Sequence, residues 1–331
     1  MKMDSYISEF ANQLNHAIEI GDSSFLNKQD GNTNINNILI CGLGGSGIGG
    51  TIIKDIFSEE IKIPIVETKD YNIPNFVGKK TLAIVCSYSG NTEETISALR
   101  KCLFKEAEII IITSGGEMKK IAIENNIKYT LIPSGHPPRA MFAYSFTQIF
   151  YVLYHYKMIN ESFKDDFSNS IKMICDEEKN IKKESKEVAK KIYNHIPIIY
   201  VAQGFEGVAI RFRQQINENS KTLCWHHVVP EMNHNELLAW RESGHKFSVV
   251  YFRNKLDFER NQIRIEINKE LISKHASNIT EIWSKGSSRI ENTLYHVNFG
   301  DWISWHLSEL NNVDAIEIGT INFLKSELSK I

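Results

Sequence analysis

The sequence predicts an α/β protein made of two parallel-sheet units, and three observations carry that reading. Short apolar runs alternate with helix-like segments, as crossover connections between parallel strands require. The rhythm halts in a charge-dense stretch and then restarts. A hydroxyl-rich turn follows the third apolar run, at the carboxyl end of a strand, where such sheets hold their ligands. A chain of 331 residues has room for two ordinary domains, and we divide it at 1–155 and 156–331.

Taken in order, residues 5–18 have helical spacing and 21–36 form a polar loop. Runs at 38–41, 63–66, 82–86, 109–112 and 129–132 read as strands, with helices near 52–57, 94–103 and 118–122. Pro137-Pro138 opens a helix over 140–156 that is apolar on most sides, so burial between domains or subunits is expected. The segment 172–194 is dense in lysine and glutamate and reads as a solvated helix bridging two lobes. Strands are then expected at 198–202, 223–229, 247–252, 279–283 and 294–297, and helices at 207–218, 258–273, 302–311 and 321–328. Each unit is thus expected to hold a mostly parallel five-stranded sheet flanked by helices.

Composition excludes some function classes. Lys and Arg (38) nearly balance Asp and Glu (40), which gives no electrostatic case for nucleic acid or an anionic membrane surface. Five scattered cysteines without CxxC spacing read as reduced thiols. Met1-Lys2-Met3-Asp4 opens no signal peptide and no run is long enough to span a membrane, so a cytoplasmic protein is expected.

Five stretches could carry chemistry. Ser87-Tyr88-Ser89-Gly90-Asn91-Thr92-Glu93-Glu94-Thr95 joins a strand to a helix start, where unpaired N–H groups and the dipole favour an anion. Its hydroxyls add donors, and it lacks the lysine of a nucleotide-binding P-loop, so the cradle suits a single phosphate. Glu93 and Glu94 would then have to point away. The same residues also suit an ordinary helix cap. The glycine-rich stretch Gly42 to Gly50, which includes Gly45 and Ser46, fits GxGxxG through Gly42, Gly44 and Gly47, with Glu67 after the next strand. A dinucleotide fold is weighed on that ground, but it would hold its pyrophosphate here and leave the hydroxyl turn unexplained.

In Pro137-Pro138-Arg139 the cation opposes the dipole of the helix it opens, which invites a role at a developing oxyanion; a surface ion pair is the alternative. Glu218 falls in the last turn of a helix with Asn219 as C-cap, where the dipole disfavours its anion, as a general base requires; many such glutamates are simply solvated. His226 and His227 are adjacent on a strand and point to opposite faces, and no HExxH spacing occurs, so no metal is expected. His234, among Asn233, Asn235 and Glu236, is the better proton shuttle.

Together and in this order, the glycine stretch from Gly42, the cradle from Ser87, Pro137-Pro138-Arg139-Ala140, Asn217-Glu218-Asn219-Ser220-Lys221 and Pro230 to Glu236 resemble the bifunctional phosphoglucose/phosphomannose isomerases of the sugar isomerase (SIS) domain superfamily. That resemblance implies two SIS domains, no metal or nucleotide cofactor, and a homodimer whose active sites are shared. It implies phosphorylated hexoses as substrates: glucose 6-phosphate and mannose 6-phosphate interconverted with fructose 6-phosphate. Gly45, Ser46, Ser87, Ser89 and Thr92 would contact the sugar phosphate. Arg139 would stabilise the enediolate, Glu218 would move the proton between C1 and C2, and His234 (from the neighbouring subunit) and Lys325 would serve ring opening. Thr320 is the candidate for the threonine that makes room for rotation about C2. Two rivals stay open: a sugar-phosphate sensor without turnover, which needs no base, and an NAD-dependent dehydrogenase.

Overall fold

The central strands of the first sheet are nearly continuous apolar runs, as burial on both faces requires. In the computed structural model, which describes residues 2–242 and 246–330, β1 (Asn37–Cys41), β3 (Thr81–Ser87) and β4 (Glu108–Thr113) form the middle of a five-stranded parallel sheet. The more polar β2 (Ile65–Thr68) and β5 (Lys128–Leu131) are its edges, in the order β2-β1-β3-β4-β5. Helices α2 (Phe10–Ser23), α3 (Gly44–Phe57) and α6 (Phe142–His155) cover one face, while α4 (Glu93–Phe104) and α5 (Gly116–Glu124) cover the other. Burial on nearly every side of α6 comes from α2 and α3 within this first core, so the expected burial between domains or subunits is corrected.

The second sheet is smaller than expected. It has four parallel strands, β6 (Ile196–Ala202), β7 (Trp225–Val229), β8 (Phe247–Arg253) and β9 (Asn278–Trp283), in the order β7-β6-β8-β9. The fifth strand placed at 294–297 lies inside the helix α10 (Arg289–Leu310). Residues 290–304 of α10 are all buried, so its apolar positions show no 3.6-residue period, and a short window of them imitates a strand. Helix α8 (Glu206–Ser220) and α10 pack on one face with α7 (Phe163–Ile192), and α9 (Glu259–Ile272) packs on the other. The charge-dense segment is α7, whose Phe167, Ile174, Ile181 and Val188 recur every seven residues as a buried seam; α10 is the helix it packs against most. Cores exchange residues across the chain: Met3 and Ile7 of α1 (Met3–Ser8) join the second, and Ile290, Leu294 and Val297 of α10 join the first.

Two features of this frame position the site. The crossovers from β1 and β3 leave in opposite directions, toward β2 and β4, so the crevice between their carboxyl ends is the topological switch point. Helices α3 and α8 then join the two units directly, because Asp55 Oδ2 accepts the Gly207 N–H at 2.6 Å. Burial pushes the Asp55 carboxyl up to about 6, against the opposing pull of that hydrogen bond. The last helix, α11 (Gly319–Leu328), has no buried residue. Among the described residues no helix is long and apolar enough to cross a membrane.

Candidate active site

Two loops and a 3-10 turn meet at the switch point. After β3, the turn through Ser89 and Gly90 delivers the chain to α4 with Gly90 at φ +67°, where a Cβ would stand 1.8 Å from the Gly115 carbonyl oxygen. Ser87 Oγ lies 2.9 Å from Thr92 Oγ1 and accepts the Gly90 N–H at 3.2 Å; Ser89 Oγ accepts from Asn91 N–H at 3.2 Å. The hydroxyls are therefore gathered at the N-terminus of α4, beside its free N–H groups. Ser46, in the first turn of α3, accepts the Tyr88 N–H on its Oγ at 2.9 Å, which ties the glycine stretch to the cradle.

Gly45 has a different reason to be glycine. A Cβ there would lie 3.0 Å from Arg139 Cα, so glycine lets the 3-10 turn Pro138–Met141 rest on α3 without displacement. The first βα turn is thus covered by Arg139 and Tyr88, where a dinucleotide would need it open for pyrophosphate.

Arg139 is 4% exposed and uses its whole guanidinium. Nε donates to Asn219 Oδ1 at 2.7 Å, Nη1 stands 3.2 Å from Glu218 Oε2, and Nη2 donates to the Ala315 carbonyl. Burial lowers the pKa of the guanidinium, and the charges of Glu218 and Asp314 oppose that shift. The Glu218 side chain is 29% exposed and opens on a cavity of about 400 Å³ bordered also by Lys221, Leu223, Thr320 and Ile321. Thr320 and the candidate base therefore border one space.

Asn219 is not the helix cap that its position suggested. Helix α8 runs to Ser220 and is ended by Lys221 in the left-handed region at φ 56°. Asn219 is fully buried, and its Nδ2 donates to Ser304 Oγ at 2.9 Å. Ser304 Oγ donates to the Asp301 carbonyl at 2.7 Å. The Asp301 carboxylate accepts from Arg211 Nη2 at 2.6 Å and from Gln215 Nε2 at 2.9 Å. Arg211 Nη2 also donates to the Arg139 carbonyl at 3.3 Å, which closes a ring of buried polar groups around Arg139. Sequence reasoning did not find Asp301, Arg211 or Gln215 as part of the site. A signal existed: Arg211, Gln215 and Asn219 recur at i, i+4 and i+8 as a polar stripe beside the apolar Phe212 and Ile216.

Lys325 of α11 faces the cradle. With Ser89, Thr92, Ile321, Leu324 and Leu328 it borders a second cavity of about 620 Å³, so the positive charge absent from the turn is brought by the last helix. Glu93 and Glu94 border that cavity too. His234, exposed at the end of the 3-10 turn Glu231–His234 after β7, borders neither cavity, and its side chain makes no hydrogen bond or ion pair with the other described residues. His226 Nε2 lies 3.5 Å from Glu206 Oε1, whereas His227 Nδ1 accepts the Val228 N–H. Among the described residues no group of three or more His, Cys, Asp or Glu could hold a metal ion.

Comparison with known proteins places the chain in a family. The SIS domain family matches residues 33–156, and the bacterial phospho-glucose isomerase C-terminal SIS domain matches 181–328. A bifunctional phosphoglucose/phosphomannose isomerase of Caldicellulosiruptor bescii is 36% identical, covering 96% of each chain. The chain belongs to the bifunctional phosphoglucose/phosphomannose isomerase family. A D-glucosamine-6-phosphate 4-epimerase of Sulfolobus acidocaldarius is 32% identical over 70% of this chain and 72% of its own. Among solved structures, the C-terminal domain of glucosamine-fructose-6-phosphate aminotransferase from Francisella tularensis superposes with a TM-score of 0.76 at 14% identity, covering 95% of this chain and 98% of that one. That likeness concerns the SIS fold alone.

Proposed function

We propose that the chain is a cytoplasmic aldose–ketose isomerase that interconverts glucose 6-phosphate and mannose 6-phosphate with fructose 6-phosphate. The observation that carries this reading is the Arg139–Glu218 pair, a buried cation against a carboxylate that opens on a cavity. Isomerisation needs a base that moves one proton between C1 and C2 and a cation for the enediolate. In the resting pair the negative charge sits on Glu218. Once Glu218 takes the C2 proton of the open-chain aldose, that charge passes to the enediolate oxygens, and Arg139 partners it with little rearrangement. The O2 hydroxyl proton passes to O1, and returning the carbon proton to C1 then gives the ketose.

The remaining assignments follow from position. Ser87, Ser89 and Thr92 hold the 6-phosphate at the start of α4, while Gly45 and Ser46 shape the wall next to it. Lys325 serves ring opening from the opposite side. Residues 1–155 supply the phosphate end and 156–331 supply the base. A sensor would need neither base nor buried arginine, and the covered first turn argues against a dehydrogenase. The deciding assay gives the protein fructose 6-phosphate in D2O and resolves the hexose phosphates by NMR. Glucose and mannose 6-phosphates deuterated at C2 are expected. A product epimerised at C4, or no product at all, overturns the reading.

We further propose a homodimer in which His234 completes the partner's site, because within one chain it stands clear of the Arg139–Glu218 pair. Mixing inactive Glu218→Gln and His234→Ala subunits puts both lesions in one site of each mixed dimer and leaves the other site whole. Random exchange should then restore activity to about a quarter of all sites. Subunit exchange verified by native mass spectrometry without recovered activity rules out the shared site.

A further inference from the structure

We infer that Lys221 is a positioning residue that sets the register of the last helix against the base-bearing helix, and so the spacing between Lys325 and Glu218. The inference rests on the isomerase reading for the roles of those two residues. Its own ground is the way Lys221 is used. The residue ends α8 at φ 56° and ψ 33°, a conformation that disfavours side chains other than glycine or asparagine. Glu106 and Lys157 adopt the same region just past two other helices, so the conformation by itself assigns Lys221 no role.

Its ammonium supplies one. All three donors of Nζ are directed at backbone carbonyls: Glu218 O at 2.7 Å, Asp314 O at 2.8 Å and Glu317 O at 2.9 Å. The first belongs to the candidate base and lies at the carboxyl end of α8, where a cation is favoured. The other two belong to the strap that leads into α11. Helix α11 itself buries no residue, and yet it borders both cavities, with Ile321 common to the two. Its placement thus depends on the strap, which packs on the cores through Ala315 and Ile316 and is tied by Lys221 and by Arg139, the latter donating to Ala315 O. One ammonium links the backbone of the base to the chain that delivers Thr320 and Lys325.

The test uses the full-length chain with Lys221→Ala and, as the conservative variant, Lys221→Arg, whose planar fork cannot meet three carbonyls around a point. Displacement of a catalytic group by about 1 Å costs on the order of 10²-fold, so kcat should fall by about that factor in Lys221→Ala while KM changes little. Amide hydrogen exchange should rise across 314–328 and stay unchanged in 206–216. In a Lys325→Ala background, Lys221→Ala should remove little further activity, because both changes remove the same group from its place. Unchanged exchange over 314–328 overturns the inference, as does a loss that multiplies in the double variant. A wild-type chain without isomerase activity sinks the functional reading instead, and the exchange measurement still decides the tether.

Discussion

Replacing Glu218 with glutamine is expected to lower kcat by about 10²–10⁴-fold, the contribution of one positioned proton-transfer group. Glutamine keeps the length of the side chain and can still bond to Arg139 Nη1, now 3.2 Å from the carboxylate, so phosphate binding and fold should persist. What it lacks is the ability to take a proton. Exchange of the C1 and C2 hydrogens with solvent should disappear together with turnover, whereas KM for fructose 6-phosphate should stay within a few-fold. The complementary change, Arg139→Lys, keeps a cation but loses the fork that reaches Asn219, Glu218 and Ala315 at once, so it too should lower kcat rather than affinity. If Glu218→Gln retains more than a tenth of the activity, the base is another group, and the exposed His234 becomes the first to examine.

How much of this was legible depends on the range of the interaction. Strands β1, β3 and β4 are apolar runs with turn residues close by, and the cradle is a local sequence of hydroxyls around one glycine, so both can be read from neighbours along the chain. The first half of α10 could not, because burial on all sides removes the polar face that betrays a helix, and only the part from 302 on reads as one. The surroundings of Arg139 are of another kind. Asn219 is 80 residues away and Ala315 is 176 away, and only the packing of α8 and the strap on the first unit brings them together. Motif resemblance reached Arg139, Glu218 and Lys325 one at a time. That α11 borders both the base and the cradle is a property of the fold, and no spacing along the chain encodes it.

Removing the Asp301 carboxylate should cost stability more than any other single change near the site. Arg211 is 3% exposed, lies 4.4 Å from the Phe142 ring centroid and already has an Nε without a partner, so Asp301 is the one charge that balances it. Breaking a buried ion pair from one side costs about 3–5 kcal/mol, because the survivor stays desolvated and unpaired. Asp301→Ala should therefore shift the urea midpoint strongly, and a loss below about 1 kcal/mol would mean that water or another group takes the place of the carboxylate. The double variant Arg211→Met, Asp301→Leu separates stability from catalysis. An apolar pair of similar volume commonly recovers the stability of a buried ion pair, so its midpoint should return toward that of the wild type. Activity should not return with it, because Arg211 also holds the Arg139 carbonyl and the ring of contacts that fixes the guanidinium is then open. Recovery of both would show that Arg139 is positioned by Asn219 and Ala315 alone, and that the Arg211–Asp301 pair serves the fold only.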